Sequence, residues 1–155
     1  YIKQETEKLA SYCQGREVVT VEDVEKVCAT QTTSHIFDMI SAIANKKQQQ
    51  ALDLYYDLLE LKEPPMRILY LIVRQFNGIL QVKDLMSRGV SGKEIASRIG
   101  AAPFVAGKYQ AQAKYFEMST LLDALNECAR TEEAVKQGRL NDRLGVELII
   151  IKYSK

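Results

Sequence analysis

The sequence has little that usually carries chemistry. Its three cysteines, Cys13, Cys28 and Cys128, lie far apart and never form a Cys-x-x-Cys pair. Neither a disulfide framework nor a zinc knuckle is supported, and a reduced, cytoplasmic setting is the default expectation. The single histidine, His35, has no second histidine or cysteine at ligand spacing, which argues against a metal site. No Gly-rich phosphate loop and no setting for a Ser, Cys or His nucleophile is present. Asp57 and Glu60, three apart beside apolar positions, read as the wet face of a helix rather than an acid–base pair. Catalytic residues, cofactor-binding residues and metal ligands are therefore expected to be absent, and no cofactor is expected. No apolar run approaches twenty residues, so no membrane partner is expected. Twenty-one basic residues against twenty acidic ones leave a net charge of +1, which gives no general attraction for the phosphates of nucleic acid. The opening "YIKQETEKLA" has neither an initiator Met nor a basic-then-apolar leader. It is what a fragment from the interior and end of a longer protein would show.

What the chain does have is apolar spacing of helical period nearly throughout, which makes it all-α. A first helix is predicted over residues 1–13. A second starts after "VVT", with Thr20 as N-cap and Val21, Val24, Val27 and Cys28 as its stripe. The polar, aperiodic "TQTTSH" then reads as a boundary between two structural units, 1–33 and 34–155. Beyond it come a helix through Ile36, Met39, Ile40 and Ile43 and another from about Gln49 to Leu61. The longest element is bounded by Pro64 and Pro65 at its start and Gly89 at its stop. Its first half, "ILYLIV", is apolar around the whole circumference. Later, Ser119 is expected to cap a helix through Leu121, Leu122, Leu125, Cys128 and Ala129. The final "NDRLGVELIIIKYSK" is β-branched enough to suit a strand, yet Leu144, Leu148 and Ile151 at i, i+4 and i+7, with Asn141 or Asp142 as cap, favour a helix.

"SGKEIASRIGAAPFVAGKY" outlines a helix-turn-helix, residues 91–109. Ser91 and Glu94 form a capping-box pattern, Ile95, Ala96 and Ile99 are set to bury, Gly100 turns the chain, and Pro103 opens the second helix. A DNA-reading helix offers Arg, Asn, Gln or Ser to base edges from its first turns. Here those turns read "AAPFVAG", and Lys108, Gln110, Gln112 and Lys114 come late. An architectural corner is the preferred reading, and a nucleic-acid-binding module is the alternative.

In chain order, "TSHIFDMISAIA", "EPPMRILYLIVRQFNGILQVKDL", "EIASRIGAAPFVAGKYQAQAKYF" and "GRLNDRLGVELIII" resemble the C-terminal region of the bacterial DNA polymerase III clamp-loader delta subunit. The preceding "YIKQETEKLASYCQGREVVTVEDVEKV" resembles the last helices of that protein's AAA+-related lid domain. The resemblance implies a collar domain of about five to six helices at 34–155, preceded by two helices of a truncated lid at 1–33. It implies a non-catalytic part of a DNA replication machine whose parent holoenzyme is a DNA-directed DNA polymerase. The implied role is to hold delta in a pentameric collar that loads the sliding clamp onto primed DNA in the bacterial, nucleoid-associated replisome. The implied partners are the other clamp-loader subunits, gamma/tau and delta prime. The sliding clamp would be reached only through an N-terminal domain that this sequence lacks, and DNA only indirectly, through the complex. A collar subunit needs apolar lateral surfaces beyond its own core, and "ILYLIV" and "LGVELIII" are the two stretches too greasy for one small bundle. Tyr70, Arg74, Phe76, Leu148 and Ile151 are the candidate subunit-interface residues. Arg67, Arg139 and Arg143 are weaker candidates of the same kind.

Overall fold

Prolines, glycines and short polar breaks divide the chain into helices. The structure, a computed structural model, describes the backbone of residues 21–155 and the side chains from residue 31 onward. Among the described residues there are seven helices and no strand: α1 (Val21–Ala44), α2 (Gln48–Glu60), α3 (Pro65–Ser87), α4 (Gly92–Ile99), α5 (Pro103–Ala113), α6 (Met118–Lys136) and α7 (Asp142–Tyr153). The chain divides into two units, residues 1–35 and 36–155. The helix expected over 1–13 and the Thr20 cap lie outside the described residues, as do the side chains of Val21, Val24, Val27 and Cys28.

Several helix ends follow the sequence signals. Pro65 opens α3, Pro103 opens α5, and Gly89 and Gly100 take left-handed φ of 77° and 69° just beyond α3 and α4. Asn141 accepts from the Leu144 amide at 3.1 Å and caps α7, so the β-branched C-terminal segment is helical.

Three expectations are corrected. "TQTTSH" does not interrupt the helix, because α1 runs through it, although the division between the two units does fall at its end, after His35. The segment holds no Pro or Gly, and Thr, Ser and Gln each cost a helix well under about 1 kcal/mol. His35 therefore sits within a helix rather than at a helix start, with Nδ1 donating to the Gln31 carbonyl at 2.9 Å. Ser91 occupies the N-cap position of α4 without a side-chain capping bond, and Glu94 reaches forward instead to Arg98 at 2.7 Å. The charged partner one turn along outcompetes the backbone amide. Ser119 lies inside α6, whose N-cap is the extended Glu117, because the buried Phe116 fixes the chain one turn earlier.

In the unit from residue 36 onward, α3 is central and packs against α4, α5, α6 and α7, while α7 also packs on α2 and α6. Ile68, Ile72, Phe76 and Ile79 bury one face of α3 completely or nearly so, and each such side chain contributes ~1.5–3 kcal/mol. Phe116 meets the Phe76 ring edge-on at 5.7 Å. A buried amide relay ties three helices together. Gln75 Nε2 donates to Gln112 Oε1 at 2.6 Å, and Gln112 Nε2 donates to the Phe37 carbonyl and to Ser41 Oγ. Each partner in such a relay satisfies a group whose burial would otherwise cost free energy. Lys83 Nζ closes the end of α5 on the Ala113 carbonyl at 3.0 Å, where the helix dipole favours a cation.

The contact of α6 with α7 depends on Gly145. A Cβ there would stand 2.8 Å from Thr131 Cγ2 and 3.1 Å from Leu140 Cδ2. Alanine normally stabilises a helix by about 1 kcal/mol over glycine. At this position overpacking of ~1–3 kcal/mol against the stiff Thr131 exceeds that gain. Gly145→Ala is expected to lower the urea midpoint, and adding Thr131→Ala to recover part of it. A rise in midpoint for the single variant would contradict this packing.

Two buried tyrosines make stability pH-dependent on the alkaline side. Burial pushes the Tyr55 phenol well above the usual tyrosine range, and its hydroxyl donates to the Arg143 carbonyl at 2.7 Å. Tyr153 is raised by burial and by its 2.6 Å bond to Asp123 Oδ2. The folded state thus holds these protons after the unfolded chain, whose tyrosines ionise near 10.0, has released them. Their contribution is complete below that pH and falls as pH rises through it toward the folded values. Urea titrations should give a flat unfolding free energy from about pH 7 to 8, a decline beginning near pH 9, where the unfolded Cys128 thiol ionises, and a steeper one above about pH 10 that is shallower in Tyr55→Phe.

Candidate interaction surfaces

The five candidate contact residues separate into a pair on α3, a pair on α7 and one core residue. Phe76 is the correction: it is 1% exposed, enclosed by the core and Phe116, and offers nothing to a partner. Tyr70, 63% exposed, and the exposed Arg74 stand one turn apart on the opposite side of the helix. "ILYLIV" is thus incompletely covered, since Tyr70 projects outward and Leu71 and Val73 are only partly buried.

Tyr70 and Arg74 belong to a longer feature. Tyr70, Val73, Arg74, Asn77, Gly78 and Gln81 recur at helical spacing and form the floor of an open cleft of about 560 Å³. Its wall is the α4–α5 elbow, from Ile99 to Ala102, with Val105 and Tyr109 of α5. The Tyr109 ring lies over Gly78, where any Cβ would come within 2.7 Å of it, so only glycine admits this approach. Tyr109 also stacks on Phe37 at 5.7 Å, and the Lys108 ammonium stands 4.8 Å from the Phe37 ring centre. Burial raises the Tyr109 phenol, and the Arg74 charge partly opposes that rise. Sequence reading missed Gly78, Tyr109 and the alanines as parts of one surface; the outer stripe on α3 was visible, but the wall comes from residues 18 or more positions further along.

On α7 the helix-defining stripe is the outer one. Leu144 and Leu148 are 46% and 49% exposed and Ile151 is half-buried, whereas Val146, Ile149 and Ile150 face the core. Leu148 and Ile151 edge a smaller groove of about 320 Å³ shared with Thr131 and Leu140. Leu122 and Ala129 of α6 are likewise exposed rather than part of its buried stripe. Arg67 is paired with Glu63 at 3.2 Å, while Arg139 and Arg143 are exposed.

The helix-turn-helix outline is real in backbone terms, yet its leading turn holds Ala102, Pro103 and an exposed Phe104, and Ala101, Ala102 and Val105 line the cleft. None of these side chains can make a bidentate bond to a base. Asp57 and Glu60 are exposed on α2. Cys128 is buried in the core, where desolvation pushes its thiol up to about 12. Among the described residues, no group of three or more His, Cys, Asp or Glu is placed to hold a metal ion, and no helix is long and apolar enough to cross a membrane.

The described residues thus form an all-helical bundle with apolar side chains and an open cleft on its outside. Residues 33–153 match the family described as DNA polymerase III delta subunit, C-terminal domain, and the chain belongs to that family. It is 33% identical over 154 residues to the DNA polymerase III subunit delta of Bacillus subtilis (strain 168), covering 99% of this chain and 44% of the relative. The solved structure of the Bacillus subtilis DNA clamp loader delta protein is similar with a TM-score of 0.79 and 33% identity, over 99% of this chain and 45% of that one. The chain thus spans less than half the length of the relatives it matches.

Phosphate-contacting domains bind DNA tightly at low salt and lose affinity steeply as salt rises. Fluorescence anisotropy with a labelled duplex across a salt series should show no such binding by this chain. Tight, steeply salt-dependent association would restore the nucleic-acid reading of residues 91–109.

Proposed function

We propose that this chain is the assembly module of a clamp-loader delta subunit. In this reading residues 34–155 are the collar domain that holds delta in a pentameric ring, and residues 1–33 are the end of its lid domain. The module performs no catalysis and needs no cofactor. It works in the bacterial cytoplasm beside gamma/tau and delta prime subunits, and sliding clamp and primed DNA are engaged by other parts of the complex. The observation that carries this reading is the outward stripe of α7. Leu144, Leu148 and Ile151 stay at the surface of a helix whose other face is among the most deeply buried in the fold. Apolar side chains arrayed along one exposed helix face mark an association surface, because covering them removes apolar area from water.

Full-length delta carrying this chain should co-purify with the other clamp-loader subunits. Leu144→Asp with Leu148→Asp should weaken that association by about 10-fold or more while leaving the helical circular dichroism and melting curve near wild type. Unchanged assembly of the double variant would remove the α7 stripe from the interface. Failure of the folded wild-type protein to join any partner subunit would overturn the assembly role itself.

A further inference from the structure

The cleft between α3 and the α4–α5 elbow has a shape and a charge that specify its occupant. Its floor, from Tyr70 to Gln81 on α3, covers eleven residue steps, ~16 Å at about 1.5 Å per residue, or three helical turns. Its wall contains Gly100, Ala101 and Ala102, small residues that let a second backbone approach closely. Packed helices stand ~8–10 Å apart, which only small or interdigitating side chains permit. The alanines that make this corner unfit to read bases are the residues that make the wall low.

Arg74 is the only Arg, Lys, His, Asp or Glu lining the cleft. Arg67, Arg88, Arg98 and Arg130 each have a carboxylate within 3.6 Å on the adjoining turn. Arg74 has Tyr70, Leu71, Asn77 and Gly78 at the equivalent positions, and its guanidinium makes no ion pair or hydrogen bond within the described chain. A planar, permanently charged group left open beside an exposed tyrosine is an anchor for a carboxylate, and Arg and Tyr dominate such anchors. The exposed Asn77 and Gln81 side chains add neutral donors and acceptors along the same floor.

We propose that this cleft seats an amphipathic helix of a neighbouring clamp-loader subunit, lying along α3, with an Asp or Glu of that helix paired to Arg74. This rests on the assembly role proposed above. A nucleic-acid strand is a poorer occupant, because a single cation neutralises a single phosphate.

The test uses full-length delta and its purified neighbouring subunits, with affinity measured by titration calorimetry at two salt concentrations. Arg74→Glu is expected to weaken binding at least about 30-fold and Arg74→Lys by less, since lysine keeps the charge but loses the bidentate fork. Ala102→Phe, which raises the wall without touching charge, should weaken binding with little change in salt dependence. Replacing the acidic residues of the partner's collar helices by Arg one at a time should find one that restores binding to Arg74→Glu. Folded Arg74→Glu and Ala102→Phe variants that bind like wild type would overturn the seat while leaving the assembly role intact. A loss of concentration-dependent self-association or of DNA binding in Arg74→Glu, with subunit joining unchanged, would overturn it in favour of a second copy or a nucleic acid. If the wild-type protein joins no subunit, the assembly role and the seat fall together.

Discussion

The fold depends on covering α3. Its inward face carries Ile68, Ile72, Phe76 and Ile79, and four other helices close over it. A helix apolar on so many sides has no stable exposed state, so the positions of α4 to α7 are largely dictated by the need to exclude water from it. The coverage is incomplete on one side. Where it stops, at Tyr70, Val73 and Arg74, the helix becomes the floor of a cleft. Core and surface are thus two faces of one element, and what the bundle leaves uncovered is what it can offer to another chain.

Polar groups fix the geometry that apolar burial alone would leave loose. The Gln75–Gln112 pair, extended to Ser41 and the Phe37 carbonyl, allows few registers, because a shifted helix would leave buried amides unsatisfied. Gly78 and Gly145 act in the same direction by steric means. Each is a point where a neighbouring side chain occupies the space of a Cβ, Tyr109 over one and Thr131 over the other. The position of Tyr109 in turn holds α5 against α3 and Phe37, so the part of the cleft wall that α5 supplies is set by packing.

Much of the helix layout was legible because it is written in local chemistry. Pro65, Gly89, Gly100, Pro103 and Asn141 act within a turn of where they stand. The errors came where local signals compete. "TQTTSH" lacks any residue that forbids a helix, and Ser91 and Ser119 were credited with caps that a nearby ion pair and a buried phenylalanine made unnecessary. The candidate surface was legible in part. Tyr70, Arg74 and Leu148 are exposed, but Phe76 shares their helical neighbourhood and faces inward, since an amphipathic pattern shows that faces differ without showing which one a partner covers.

By itself the sequence determined that the chain is helical, where most helices begin and end, that a helical corner turning at Gly100 lies within residues 91–109, and that two segments are more apolar than one small bundle can hide. These follow from hydrogen bonding and steric effects between residues a few positions apart. Only the tertiary structure decided which apolar faces are buried, that Leu144 and Leu148 lie outside while Val146 and Ile150 lie inside, and that the alanines of the corner form a wall opposite Arg74. Those assignments depend on contacts between residues far apart in the chain, whose free energies are settled by the packing of the whole unit at once.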